Sequence, residues 1–257
     1  MTDQVLRGSH RLPDLHPRVG VTGHRQAPKL PDEALGAVRA SAECALVAVL
    51  QAARHHAADL APPLEDRRRR DPAASGPEAP RGVIISQLAE GADRIVAEAG
   101  LAVGFSLEAV LPFAASEFEK DFATKESRDE FNALLGRATS VLTLEGNPVE
   151  RAPAYEAAGL VMLAKVDILI AIWNGNNSDG VGGTGEIVCR AIADRVPVMW
   201  IDPSRPDTIR LSWSTAEERM PTLDNPGPNS MFHVVDPTLI STAIASALFG
   251  AAISSRA

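Results

Sequence analysis

The chain has 257 residues, 45% hydrophobic and 23% charged, a balance that supports a sizeable core and excludes a disordered or fibrous polypeptide. The formal net charge is −8 and aromatic residues make up only 4%, so the average field repels polyanions, few rings can stack on bases, and no nucleic-acid partner is expected. The two cysteines, Cys44 and Cys189, lie far apart without zinc-ligand spacing; they are read as small buried hydrophobes in a reducing compartment, and neither a metal nor a cofactor is expected.

Residues 1–17 read as a polar N-terminal arm without the apolar segment of a secretory signal. From residue 18 to 257 the pattern is that of a single domain. Arg18–Thr22 is a short buried strand that ends at Gly23, and a helix follows over Pro31–Asp59, with Val38, Ala42, Ala45, Leu46, Val49 and Ala53 at helical spacing. The stretch from Ala61 to Pro80 holds five prolines and the run Arg67–Arg70; it is read as a flexible, solvated insert. Gly82–Ser86 is a strand of consecutive apolar residues, as expected of a parallel strand covered on both faces. A helix over Ala92–Val103, a strand over Leu107–Leu111, short helices over Ser116–Ala123 and Ser127–Arg137, and a strand over Ser140–Leu144 come next.

A helix over Ala154–Ala164 precedes the clearest strand, Asp167–Trp173. Beyond it lie a glycine-rich loop, a helix over Thr184–Asp194 and a strand over Pro197–Ile201. Residues 202–257 form an irregular, proline-rich segment closed by a helix over Pro237–Ala252. The apolar run Leu239–Ile253 is interrupted by Ser241, Thr242 and Ser246 and is shorter than the roughly 20 residues of a bilayer span; no membrane partner and a cytoplasmic location are expected. Strand and helix alternate throughout. The expected fold is therefore α/β: a Rossmann-like, three-layer arrangement of a mostly parallel sheet with helices on both faces.

Ligands on such sheets sit beyond the carboxyl ends of the strands, and three loops fall there. In the first, Gly20-Val21-Thr22-Gly23-His24-Arg25, a glycine permits close backbone approach, Thr22 offers a hydroxyl, His24 a ring nitrogen and Arg25 a forked phosphate grip. It matches neither a Walker A loop nor a G-x-G-x-x-G fingerprint. In the second, Ser86-Gln87-Leu88-Ala89-Glu90-Gly91-Ala92-Asp93-Arg94, the acidic pair Glu90 and Asp93 either caps the coming helix or holds ribose hydroxyls. The third runs from Trp173, Asn174 and Gly175 to Gly180, Gly182, Gly183, Thr184, Gly185 and Glu186 and leads straight into a helix start, where free amides and the positive dipole end suit an anion. Glu186 is either an acidic first-turn residue or a group that holds ribose or acts as a base at a glycosidic carbon, with Glu90 as the other candidate base.

These loops, in this order, resemble the SLOG superfamily, a Rossmann-like group that includes the LOG phosphoribohydrolases and DprA-type DNA-processing proteins. The likeness is to a bacterial branch with Gly-x-Thr-Gly-His-Arg (here Gly20–Arg25), Leu-Ala-Glu-Gly-Ala-Asp-Arg (Leu88–Arg94) and Trp-Asn/Asp-Gly…Gly-Gly-Thr (Trp173–Thr184); Leu111–Phe113, Phe118–Phe122 and Tyr155–Gly159 also resemble it. The resemblance covers about 18–201 and implies a nucleotide or nucleotide-derived ligand, bound by a sensor or cleaved at its N-glycosidic bond. LOG enzymes carry Pro-Gly-Gly-x-Gly-Thr-x-x-Glu, whereas this chain places Glu186 nearer its glycines and has no preceding proline. The phosphate-cradle role transfers to Gly182, Gly183 and Thr184, because it needs only backbone and a hydroxyl. The expected partner is thus a nucleotide-like small molecule, and a homo-oligomer is compatible with the composition.

Overall fold

A computed structural model describes residues 15–25, 28–60, 81–176, 183–212, 232–236 and 238–249. The insert with its arginine run, Gly180, Gly182 and most of the N-terminal arm fall outside the described residues. Eight strands form one sheet: β1 (Arg18–Gly23), β2 (Val83–Ser86), β3 (Ser106–Leu111), β4 (Ser140–Thr143), β5 (Ile168–Ile172), β6 (Val198–Ile201), β7 (Ile209–Ser212) and β8 (His233–Val234). Their order is β4-β3-β2-β1-β5-β6-β7-β8. Pairing is parallel from β4 across to β6, and antiparallel between β6 and β7 and between β7 and β8. The helices are α1 (Leu35–Leu60), preceded by a 3-10 turn at Asp32–Ala34, α2 (Ala92–Ala102), α3 (Ala115–Phe118), α4 (Lys125–Leu135), α5 (Arg151–Leu163), α6 (Thr184–Ala193) and α7 (Ile240–Phe249).

The runs of consecutive apolar residues have the expected cause. Successive side chains of a strand point to opposite faces, and both faces here are covered. Val19, Val21, Ile84, Leu107, Ile168, Ile170, Ile172, Met199 and Ile201 pack beneath α1, α2, α4 and α7. Ile85, Val110, Leu169, Ala171, Val198 and Trp200 pack beneath α5 and α6. All five residues of β5 are buried. The fold is α/β and Rossmann-like, with helices on both faces of a mostly parallel sheet. Among the described residues no helix is long and apolar enough to cross a membrane.

Two expectations are corrected. Cys44 and Cys189 do lie on helices, α1 and α6, but both are exposed. Cys44 follows the buried Ala42 by two residues, which carries it to the opposite side of the helix. The segment after Asp202, read as irregular, contains β7 and β8, which extend the sheet in the antiparallel sense. Its end returns to the core: Ile244 of α7 is buried, and His56 of α1 stacks on Phe249 at a centroid distance of 4.0 Å.

Gly20 belongs to the sheet. It lies inside β1 on the α5 side, where a Cβ would sit 2.3 Å from Met162 Sδ and 3.2 Å from the Val166 methyls. Overpacking costs about 1–3 kcal/mol, so Gly20→Ala is expected to lower the unfolding free energy by that much with no ligand present, seen as a lower urea midpoint. Equal midpoints for the two proteins would show that this face has room to spare.

Candidate ligand-binding site

The strand order has one switch point. From β1 the chain steps outward through β2 and β3 to β4, then returns to the other side of β1 as β5. Connections leave β1 and β5 toward opposite faces, through α1 and α6, and this opens a crevice beyond their carboxyl ends. Gly23–Arg25 and Trp173–Gly175 stand there, while Thr22 pairs with Ala171 one step inside the sheet.

His24 ties the two loops together. Its amide donates to the Ile172 carbonyl at 3.0 Å, and its Nε2 accepts the Asn174 amide at 3.1 Å, which leaves the ring proton on Nδ1. Burial holds this imidazole below its usual pKa, so the neutral acceptor form persists at pH 7. Asn174 Oδ1 accepts the Asn176 amide at 3.1 Å, and Gly175 takes the positive φ (81°) that the turn requires.

The loop after β2 lies directly against the loop after β1. A Cβ on Gly91 (φ 80°) would stand 1.8 Å from the Arg25 carbonyl oxygen, and one on Gly23 would stand 2.4 Å from the Ala92 Cβ. The Ala92 amide donates to the His24 carbonyl at 3.1 Å. Asp93 fills what remains of this loop. Its carboxylate accepts the Ala89 amide at 3.4 Å, its backbone carbonyl accepts the Ser86 hydroxyl at 3.4 Å, and Ser86 Oγ accepts the Leu88 amide at 3.0 Å. The first amide of α2, that of Ala92, is thus engaged within the protein. Burial raises the Asp93 pKa from 3.8 to about 6 against the opposing pull of these bonds and of Arg25.

Several sequence-derived candidates have other duties. Arg94, 2% exposed, donates from Nε to the Leu88 carbonyl at 3.1 Å and from Nη1 to Ser127 and Glu130, and it lies over the Phe122 ring at 4.4 Å. It fastens α2 to α4. Glu90 accepts the Ser127 hydroxyl. Trp173 is fully buried, tilted against Trp200 with centroids 5.4 Å apart, and its Nε1 donates to the Asn176 carbonyl at 2.7 Å. On the far side of the crevice Gly183 opens α6 without a side-chain cap, and its carbonyl accepts the Glu186 and Ile187 amides. Thr184 and Glu186 are half-buried and Gly185 is buried in the first turn. Among the described residues no three His, Cys, Asp or Glu side chains gather as a metal site.

Sequence reasoning missed a polar cluster beside Arg25. Tyr155 of α5 donates its hydroxyl to Asp121, and the Arg25 guanidinium stands 5.0 Å from the centre of the Tyr155 ring. Arg151 pairs with Asp121 at 2.6 Å and with Glu117 at 2.8 Å. These residues come from three separate elements. The signals in the sequence were a lone tyrosine in a chain poor in aromatics and the segments Tyr155–Gly159 and Phe118–Phe122, the second of which holds Asp121.

The chain matches no known family model, and no curated protein matches it. Among solved structures it is similar to DNA processing protein A from Streptococcus pneumoniae, at 16% identity and a TM-score of 0.45, over 72% of this chain and 50% of that one. The chain thus spans half the length of that protein. It is also similar to DNA processing protein A from Helicobacter pylori, which was described for its mode of single-stranded DNA binding (12% identity, TM-score 0.41, over 89% and 73%), and to TM1055 (13% identity, TM-score 0.35, over 71% and 72%). At such identities the likeness concerns the fold alone. It corrects one expectation: the absence of a nucleic-acid partner does not follow from net charge and aromatic content, since a protein with a similar fold binds single-stranded DNA. Net charge averages the whole surface, whereas a strand is gripped by local groups.

Asp93 makes the stability of this corner depend on pH. Its folded pKa lies above the unfolded value of 3.8, so the fold is favoured while the carboxyl is protonated and loses that advantage as pH rises through about 6. The ionised group then costs about 3 kcal/mol. Asp93→Asn is expected to raise the melting temperature at neutral pH and to flatten its pH profile between these values, as followed by circular dichroism. A variant less stable than the wild type at neutral pH would show that the ionised carboxylate supports the loop.

Proposed function

We propose that the crevice binds a nucleotide or nucleotide-derived phosphorylated ligand, with a phosphate on the first turn of α6 at Gly183 and Thr184 and Arg25 reaching it from the opposite loop. Gly182 is assigned to the same cradle. One contrast carries this reading: the first amide of α2, that of Ala92, donates to the His24 carbonyl, whereas among the described residues no carbonyl from another loop closes on the first turn of α6. A helix start of that kind at a sheet's switch point is suited to phosphate. Glu186, in the first turn, is placed toward the sugar. The loop sequences support membership of the SLOG superfamily, in which such a ligand is expected.

Binding without cleavage, as in a sensor, is the preferred role. Glu90, one of the two carboxylates considered for glycosidic chemistry, is committed to the Ser127 hydroxyl. A cytoplasmic location fits such a ligand.

The test is a thermal-shift series with nucleoside monophosphates, ADP-ribose and a single-stranded oligonucleotide. A ligand at a hundred times its Kd should stabilise the fold by about 2.7 kcal/mol. Arg25→Gln should weaken the response roughly tenfold or more, as expected for a lost charged hydrogen bond. No shift with any nucleotide at millimolar concentration would overturn the reading; a shift with the oligonucleotide alone would reassign the crevice to nucleic acid.

A further inference from the structure

Arg25 is exposed, and an exposed arginine normally samples many rotamers, which weakens its hold on an anion. Here its surroundings restrain it. The guanidinium lies at the Tyr155 ring, 5.0 Å from its centroid. The phenol in turn donates to Asp121. Asp121 is fixed by Arg151 at 2.6 Å, and Arg151 is fixed by Glu117 at 2.8 Å and by the Phe113 ring, 5.0 Å away. The chain of contacts runs from α3 through α5 to the loop after β1. Along it each carboxylate is matched to Arg151 or Lys120, while Arg25 rests on a neutral ring. Among the described residues no carboxylate closes on Arg25 as a salt bridge; Asp93 feels its charge at longer range.

We propose that Tyr155 is a positioning residue: with Asp121 and Arg151 behind it, it holds Arg25 pre-oriented across the crevice as the receptor for the phosphoryl group of the ligand. The inference rests on the phosphate reading above and adds the residue that makes Arg25 effective. The ring supplies the cation–π face, and its hydroxyl anchors the ring to Asp121. A neutral partner suits the task, because a carboxylate in its place would compete with the incoming anion. Burial and the Asp121 contact raise the phenol's pKa, so Tyr155 stays neutral at physiological pH.

Tyr155 is the single tyrosine of the chain, so the near-ultraviolet absorbance of phenolate reads this one side chain. Arg25→Gln is expected to shift its ionisation to higher pH and Asp121→Asn to lower pH. The second arm measures AMP affinity by calorimetry. Tyr155→Phe, which keeps the ring, should weaken binding roughly fivefold, the cost of ordering one freed side chain, and Tyr155→Ala should weaken it further, both with the melting temperature of Tyr155→Phe unchanged. A phenol titration indifferent to Arg25→Gln would overturn the proposal, as would wild-type AMP affinity in Tyr155→Ala. A wild-type protein that binds no AMP removes the phosphate reading instead, and the titration still decides whether Tyr155 holds Arg25.

Discussion

The crevice depends on a contact between two stretches of backbone. Gly91 approaches the Arg25 carbonyl so closely that a Cβ would stand 1.8 Å from it, and one on Gly23 would stand 2.4 Å from the Ala92 Cβ. No side chain fits between these loops, so the turn after β1 must follow the surface of the turn before α2. The Ala92–His24 hydrogen bond then sets their register, and the bond from the Asn174 amide to His24 carries that register across to β5. Three loops far apart in sequence thereby behave as one rim. Where Arg25 stands is decided by glycines packed against the neighbouring loop.

This arrangement divides labour between two helix starts that look alike in sequence. Both follow a strand, both begin at a glycine, and both carry an acidic residue in the first turn. At α2 that residue, Asp93, folds back and satisfies the preceding amides, so the protein supplies its own anion. The cost is a buried carboxyl whose ionisation is disfavoured. At α6 the acidic residue comes third, as Glu186, and the opening glycine offers no competing oxygen from a side chain. The acidic residue of one start is thus folded into its own loop, and that of the other stays half-buried in the first turn.

Much of the scaffold was legible in the sequence because it rests on local patterns. A strand such as Ile168–Ile172, apolar at every position, announces two covered faces, and helical spacing marked the buried side of α1. The two late strands were not legible: Ile209–Ser212 is four residues long amid prolines, and it gains its identity only by pairing with β6. The loops could be located but their glycines could not be sorted. Gly20 is required by Met162, Gly91 by Arg25 and Gly175 by its own turn, and the first two partners are distant in the chain. Arg94 and Trp173 stood inside suggestive motifs, yet one fastens helices and the other fills the core. Tyr155, Asp121 and Arg151 went unread because their significance lies in where three elements meet.

The buried indoles have a practical consequence. Trp173 sits at the very start of the connection to α6, with its ring nitrogen bonded to the Asn176 carbonyl, and Trp200 donates to the Trp173 carbonyl at 2.6 Å. Two of the chain's three tryptophans are therefore wired to the first residues of the glycine-rich connection. Any rearrangement of that segment must break or bend a hydrogen bond to a fluorophore in a dry environment. The molecule carries a built-in optical reporter at the one loop where a guest would be felt first.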